Sequence, residues 1–233
     1  LKPPPESLWS SYTLPTLDVL IPARNEAHTI GRCLNSLLKQ DYPNLTITIL
    51  NDNSTDETQT IAEGIAASNH QVRVISGNPL PSGWTGKNWA CHQLFLATEA
   101  DLMLFSDADT WFKKGGIRRW VNVHLFAKAD LTTLIPGRQA TSSIESLVIG
   151  FINWFVLAFL PLPIAYRART PLLSMTFGQF MLFSREAYMQ IGGYQSIRRS
   201  ITDDVSLGRR IKSHGLTWRL FDGSADVLCA MYP

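Results

Sequence analysis

Residues 101–110 read Asp-Leu-Met-Leu-Phe-Ser-Asp-Ala-Asp-Thr. An apolar run, Leu102 to Phe105, stops abruptly at two carboxylates, Asp107 and Asp109, separated by one small residue. A short apolar run bounded by polar residues is a buried strand, and the end of such a strand is the sheet edge where ligands bind. Side chains two apart on an extended backbone point the same way. Two like charges would then share one side of the strand end, an arrangement that a cation between them relieves. Hard oxygen ligands with room for substrate phosphates suit Mg²⁺ or Mn²⁺. The same tripeptide also fits a solvated acidic turn, and on its own it leaves both readings open.

Upstream of this stretch the chain alternates strand and helix. Residues 1–16 hold four prolines and no periodicity, which predicts an extended lead-in. Leu17 to Ile21 predicts a buried strand closed by Pro22. Ile30, Cys33, Leu34, Leu37 and Leu38 then follow helical spacing, so an amphipathic helix is expected from about Glu26 to Gln40. Thr46 to Leu50 predicts a second strand ending at Asn51-Asp52-Asn53-Ser54, with Ser54 or Thr55 capping a helix to about Ser68. Val72 to Ile75 is a third strand, residues 76–86 a Gly/Pro-rich loop, and Lys87 to Ala97 a helix leading into the acidic strand. Such alternation predicts a mostly parallel α/β sheet with right-handed crossovers.

Downstream the pattern is less regular. A helix is expected over 116–127, strands over Leu131–Ile135, Met175–Phe183 and Thr217–Phe221, and helices from Arg185 to Gln190 and Thr202 to Ser213. Gly192-Gly193 is a helix-stop signal. Between Glu145 and Arg167 there is no charge. That length suits a transmembrane helix, but Asn153, Pro161 and Pro163 interrupt it, and Trp154, Phe155 and Tyr166 flank it as in interfacial segments. A core helix, a membrane-surface contact and a span are the three readings for 147–166. We expect one domain over 17–233, lying on the cytoplasmic face of a membrane.

Net charge is +2 with Lys and Arg dispersed, so nothing in the charge suggests nucleic-acid binding. Cys33, Cys91 and Cys229 lie far apart without metal-ligand spacing and read as reduced thiols in a cytosolic setting. The first residue is Leu1 and the last follow an apolar stretch, from which a piece of a longer protein is expected. No Gly-x-Gly-x-x-Gly follows the first strand, which argues against a dinucleotide-binding dehydrogenase. A phosphate-binding Gly-x-x-x-x-Gly-Lys-[Ser/Thr] loop is also missing: Gly86-Lys87 comes nearest, and Asn88 breaks it.

Asp52 ends the second strand as Asp107 and Asp109 end the fourth, so all three belong to one crevice, where a carboxylate can accept hydrogen bonds from a base or a ribose. An Asx turn and helix cap would place Asp52 there equally well. In Gly83-Trp84-Thr85-Gly86-Lys87-Asn88-Trp89 the glycines permit close backbone approach, and Lys87 at a helix start could reach a phosphate. Thr202-Asp203-Asp204 puts a second acidic pair at a helix start, where a plain N-cap is the competing explanation. Arg209 and Arg210 could neutralise a diphosphate or stay solvated.

Taken together, the motifs resemble the family 2 glycosyltransferases, inverting sugar-nucleotide enzymes with the GT-A fold. Ile21-Pro22-Ala23-Arg24-Asn25-Glu26 is similar to the first-strand motif, and Asn51-Asp52-Asn53-Ser54-Thr55-Asp56 to Asp-Asp-x-Ser-x-Asp. Ser106-Asp107-Ala108-Asp109 resembles the metal motif, and Gly178-Gln179-Phe180 with Gly192-Gly193-Tyr194 the acceptor region. Thr202-Asp203-Asp204-Val205-Ser206-Leu207-Gly208-Arg209-Arg210 resembles Thr-Glu-Asp-x-x-Leu-x-x-Arg, the segment of the catalytic base. The Gly-Trp-x-Gly-Lys-x-Trp-Ala stretch narrows the likeness to the carotenoid and glycolipid glucosyltransferase branch. Asn51 stands where the family has its first Asp, and the Gln-x-x-Arg-Trp motif of processive and ceramide-type relatives does not occur.

The resemblance implies transfer of a sugar from a nucleoside diphosphate, UDP-glucose above all, to a lipophilic acceptor bearing a hydroxyl or carboxyl group. It assigns Pro22, Ala23, Arg24, Glu26, Asp52 and Lys87 to the donor, Asp107 to the ribose or the metal, Asp109 to Mn²⁺ or Mg²⁺, and Asp204 with its neighbour Asp203 to catalysis. A polyprenyl-phosphate glycosyltransferase and a non-catalytic, membrane-associated nucleotide-sugar-binding domain are the alternatives.

Overall fold

A computed structural model of the chain describes residues 1–5, 13–139, 162–168 and 170–230. In chain order its elements are β1 (Leu17–Ala23), α1 (Ile30–Leu37), β2 (Leu45–Asn51), α2 (Thr58–Ala67), β3 (Val72–Ser76), α3 (Gly86–Leu96) and β4 (Leu102–Phe105). There follow β5 (Thr110–Phe112), α4 (Gly116–Phe126), β6 (Leu131–Ile135), β7 (Gly137–Gln139), α5 (Leu162–Arg167), β8 (Met181–Ser184) and α6 (Arg185–Gln190). The last are α7 (Asp203–Ser213), β9 (Trp218–Asp222) and β10 (Val227–Ala230).

Seven strands form one sheet in the order β3-β2-β1-β4-β8-β6-β9, and β5-β10-β7 form a second, smaller one. Only β8 runs antiparallel in the large sheet, against β4 on one side and β6 on the other. The fold is therefore α/β with a mostly parallel sheet, as the alternation predicts. From β1 the chain moves outward through β2 to β3, then returns over the sheet by α3 to place β4 on the other side of β1. The reversal splits the helices. Buried residues of α1 and α2 (Ile30, Leu34, Ala62) join Leu17, Val19 and Ile21 of β1 on one face. Those of α3 (Ala90, Cys91, Leu94) join Leu20, Met103 and Phe105 on the other. Where the direction reverses, the carboxyl ends of β1 and β4 leave a crevice between them.

Pro22 does not close β1, which continues to Ala23. Leu20 is the last residue of β1 that β4 matches, and its carbonyl accepts the Ser106 N–H. Pro22 shares the parity of Leu20, so its missing N–H would have faced a ladder that had already ended. The Ala23 carbonyl points the other way and accepts the Asp52 N–H at 2.8 Å.

Four further expectations need correcting. First, α1 begins at Ile30 rather than near Glu26, because the N–H groups of Asn25, Glu26 and Ala27 are taken by side chains of the loop after β2. Second, α2 starts at Thr58, whose N–H is held by Asp56 Oδ1 rather than by Ser54 or Thr55, which are engaged with Asn25. Third, the strand expected over 175–183 is confined to Met181–Ser184, preceded by a turn in which Phe180 N–H meets the Phe177 carbonyl. Fourth, β5, β7 and β10 were not expected from the sequence at all. Of the apolar segment 147–166, residues 147–161 lie outside the described residues; 162–166 fall in the short α5. Among the described residues no helix is long and apolar enough to cross a membrane.

After α6 the chain turns through Gly193 at φ 43° and ψ −148°. A Cβ there would sit 2.3 Å from the ring of Tyr188. That ring is buried against Phe105 and Phe183, and its hydroxyl accepts the Tyr194 N–H. Gly193→Ala is expected to cost roughly 2–4 kcal/mol, since neither the backbone nor the ring can yield cheaply. Gly215→Ala, also at positive φ (74°) but with no atom within 4 Å of the added Cβ, should cost only about 1–2 kcal/mol. Thermal unfolding of the two variants checks this; equal losses would mean that the ring contact carries no energy.

Candidate active site

Pro22, Ala23, Arg24 and Glu26 after β1, Asp52 after β2, Gly86, Lys87 and Ala90 of α3, and Asp107, Ala108 and Asp109 after β4 line one cavity of about 400 Å³. Every donor and metal candidate of the sequence is among them. The positions that were not singled out are Ala90, one helical turn beyond Gly86, and Ala108, between the two acids. Spacing i, i+4 on a helix could have disclosed the first.

Two loops fold onto each other to build the near wall. Asn25 N–H donates to Ser54 Oγ at 3.1 Å, Glu26 N–H to Thr58 Oγ1 at 2.7 Å and Ala27 N–H to Asp56 Oδ2 at 3.1 Å. In return Thr55 N–H donates to Asn25 Oδ1 at 2.8 Å. Asn25 and Asn53 take positive φ, 57° and 54°, a conformation that asparagine accepts more readily than most residues. The short polar residues of both motifs thus act on the backbone and leave Arg24, Glu26 and Asp52 to line the cavity. Arg24 Nη1 lies 3.7 Å from Asp52 Oδ2. Asn51 is itself structural: its Oδ1 accepts the Ser54 N–H and its Nδ2 meets Gln59 Oε1.

The far wall carries a lysine between acids. Lys87 Nζ is 2.7 Å from Asp107 Oδ1 and 3.9 Å from Asp203 Oδ2. Burial works against the lysine's charge, but Asp107 and Asp203 outweigh it and hold its pKa well above the usual lysine range. Gly178 closes against the pair, since a Cβ there would stand 3.5 Å from both Asp107 Oδ2 and Lys87 Nζ. Asp109 is crowded by like charge instead. Burial first, then the charges of Asp107 and Glu26, push its carboxyl up to about 6.

Asp203 and Asp204 do not line the cavity, and they differ in surroundings. Asp203 is buried, accepts the Tyr194 hydroxyl at 3.3 Å and faces Lys87. Asp204 is half-buried, with one oxygen on the N–H of Val205. Burial raises its pKa, against the opposing effect of that hydrogen bond. Lys87 is therefore the link between the cavity and the acidic start of α7. Among the described residues no group of three or more His, Cys, Asp or Glu forms a complete metal cage. Asp107 and Asp109 could hold a hard cation whose remaining ligands come from a bound diphosphate and water.

The raised pKa of Asp109 makes a prediction about the free protein. Its folded-state pKa lies above the unfolded value, so its contribution to stability is fully present below about pH 4 and lost as pH rises through about 6. Asp109→Asn removes that penalty. At pH 7.5 without metal the variant should be more stable by about 1–2 kcal/mol, a Tm higher by roughly 2–6 °C, with no gain near pH 4. Calorimetric scans at the two pH values check this, and a variant less stable at pH 7.5 would show that Asp109 is not crowded by negative charge.

Comparison with known proteins bears on the family and the fold. The chain is 29% identical over 219 residues to a 4,4'-diaponeurosporenoate glycosyltransferase of Staphylococcus aureus (strain bovine RF122 / ET3-1), a match covering 93% of this chain and 56% of the relative. It thus spans little more than half the length of such curated relatives. A mannosyltransferase of Pyrobaculum calidifontis, solved with GDP-Man and Mn²⁺, superposes with a TM-score of 0.69 at 17% identity, covering 93% of this chain and 56% of that one. Glucosyl-3-phosphoglycerate synthase of Mycobacterium tuberculosis, solved with Mn²⁺, UDP-glucose and phosphoglyceric acid, gives 0.59 at 20% identity, covering 94% and 73%. These two likenesses establish the GT-A fold. Residues 18–192 match the model of glycosyl transferase family 2, and the chain belongs to that family.

Proposed function

We propose that this domain transfers glucose from UDP-glucose, with inversion, to a lipophilic acceptor at the cytoplasmic face of a membrane. One observation carries the reading: Lys87 ties the cavity of donor candidates, through Asp107, to the acidic start of α7, through Asp203. Relatives support the substrates, since one is solved with UDP-glucose and another is named for a carotenoid acid.

In this reading Asp52 and Arg24 hold the nucleoside, and the start of α3 with Lys87 meets the diphosphate, where a helix N-terminus and an ammonium both favour negative charge. Asp109 and Asp107 would hold Mn²⁺ or Mg²⁺, which when bound supplies positive charge beside the leaving diphosphate. The acceptor oxygen attacks the anomeric carbon from the face opposite UDP. The bond to the diphosphate breaks and its electron pair leaves with UDP. Asp204 takes the proton of an alcohol as the new bond forms. Its half-buried carboxyl with a raised pKa suits a base better than Asp203, which is more deeply buried and whose Oδ2 faces both the Tyr194 hydroxyl and Lys87.

Leu172 and Ile201 are 78% and 92% exposed. Leu172 lies in a turn that Lys212 of α7 ties down by donating to the Leu173 carbonyl at 2.9 Å, and Ile201 directly precedes Thr202-Asp203-Asp204. Exposed side chains of this kind beside a base favour a lipid-like acceptor and contact with a membrane surface.

A donor panel with product analysis tests the reaction, and Asp204→Asn tests the base. With an alcohol acceptor, Asp204→Asn should lower turnover by about a hundredfold or more while UDP affinity stays within about twofold. With a carotenoid carboxylate, already ionised near neutrality, the loss should be below about tenfold. Loss in Asp203→Asn but not in Asp204→Asn, with the alcohol, would show that the other carboxylate is the base. No transfer from any nucleotide sugar would overturn the proposal.

A further inference from the structure

We propose that Asn88 is a positioning residue that fixes the loop leading into α7, where the base lies, and so sets the geometry between the donor cavity and α7. The inference rests on the reading of Asp203 and Asp204 given above. Asn88 follows Lys87 on α3 but turns away from the cavity and is 1% exposed. Its amide gives both N–H groups to the loop before α7, one to the Ile197 carbonyl and one to the Ser200 carbonyl, each at 3.0 Å. A third bond runs the same way, from Thr85 N–H to the Arg198 carbonyl at 2.9 Å. Asn88 N–H caps back onto Thr85 Oγ1, so the first turn of α3 and the latch are one unit.

The loop passes this constraint on. Ser200 N–H closes a turn on the Ile197 carbonyl, and the Ser200 hydroxyl meets both the Thr202 carbonyl and Ser206 Oγ of α7. Residues 197–202 are therefore held to α3 on one side and to the first turns of α7 on the other. The same turn of α3 carries Lys87, which reaches Asp107 and Asp203. Asparagine is needed because the site demands two donors from one short side chain. Aspartate would present oxygen to two carbonyls, and alanine would leave the partly buried Ser200 carbonyl without its Asn88 partner. Misplacing a catalytic group by about 1 Å can cost on the order of a hundredfold in rate. The effect should therefore fall on turnover and leave the donor site intact.

The test compares Asn88→Ala and Asn88→Ser with Gln93→Ala in the 233-residue chain. Gln93 is also buried on α3, but it accepts the Asn78 N–H and donates to the Trp89 carbonyl, away from the loop. UDP binding is read by calorimetry, turnover by radiolabelled transfer from UDP-glucose to an alcohol acceptor, and amide exchange by mass spectrometry. Asn88→Ala is expected to lower kcat by about tenfold or more with UDP affinity within about twofold, and to speed exchange over 197–206 but not over 116–126. Asn88→Ser, which keeps one donor, should fall between Asn88→Ala and the wild type. Gln93→Ala should lose similar stability with kcat within about twofold. Unchanged exchange over 197–206 in both Asn88 variants would overturn the latch, whether or not the wild type transfers sugar. A kcat loss matched by Gln93→Ala would reduce Asn88 to a structural residue. Absence of transfer by the wild type would overturn the proposed reaction instead, with exchange still deciding the latch.

Discussion

Negative charge crowded at one edge of a sheet is the constraint around which this molecule is arranged. Glu26, Asp52, Asp107 and Asp109 come from three strand ends and line one cavity, where Arg24 and Lys87 oppose them. Lys87 settles against Asp107 and Asp203, and Arg24 approaches Asp52, while burial and like charge make Asp109 hard to ionise. Such a site is poor for the stability of the free protein and well suited to a ligand that brings cations with it. The same carboxylates that repel one another could supply oxygen to a metal, and a diphosphate bound beside them would compete for the lysine that opposes their charge.

The topology explains why these residues meet. Because the chain reverses after β3 and inserts β4 on the far side of β1, the carboxyl ends of β1, β2 and β4 face one crevice, and α3 crosses with its N-terminus there. The antiparallel β8 then brings residues 174–180 back to the same edge, and Gly178 lets them close on the Asp107–Lys87 pair. Thr133 Oγ1 accepts the Phe177 N–H at 2.9 Å and so ties that segment to β6. The donor cavity and the start of α7, which carries Asp203 and Asp204, are thus joined at Lys87 and, one residue later, at Asn88.

What the sequence disclosed follows from which interactions are local. Apolar runs such as Val19–Ile21 and Leu102–Phe105 state their burial outright, and the acids that follow β2 and β4, Asp52 and Asp107, mark the sheet edge. The start of α1 could not be read, because the groups that hold 25–27 out of the helix belong to residues 54–58. The small sheet was equally hidden. Thr110–Phe112, Gly137–Gln139 and Val227–Ala230 are three or four residues long and find partners far along the chain. An apolar run such as Met181–Phe183 does not reveal whether it will pair parallel or antiparallel. Asn88 drew notice only as a residue that spoils a phosphate-loop pattern; its partners lie 109 and 112 residues away, where no spacing rule reaches.

The central claim is that Asp107 and Asp109 form the place where a nucleoside diphosphate and a divalent cation bind together. Titration calorimetry of UDP into the chain at pH 7.5, with Mn²⁺ and then with the metal chelated, tests it most directly, beside the same titrations of Asp109→Ala. Binding should need Mn²⁺ in the wild type and be lost in a variant that circular dichroism shows to be folded. Affinity unchanged by chelation, or metal-dependent affinity retained by Asp109→Ala, would contradict the claim.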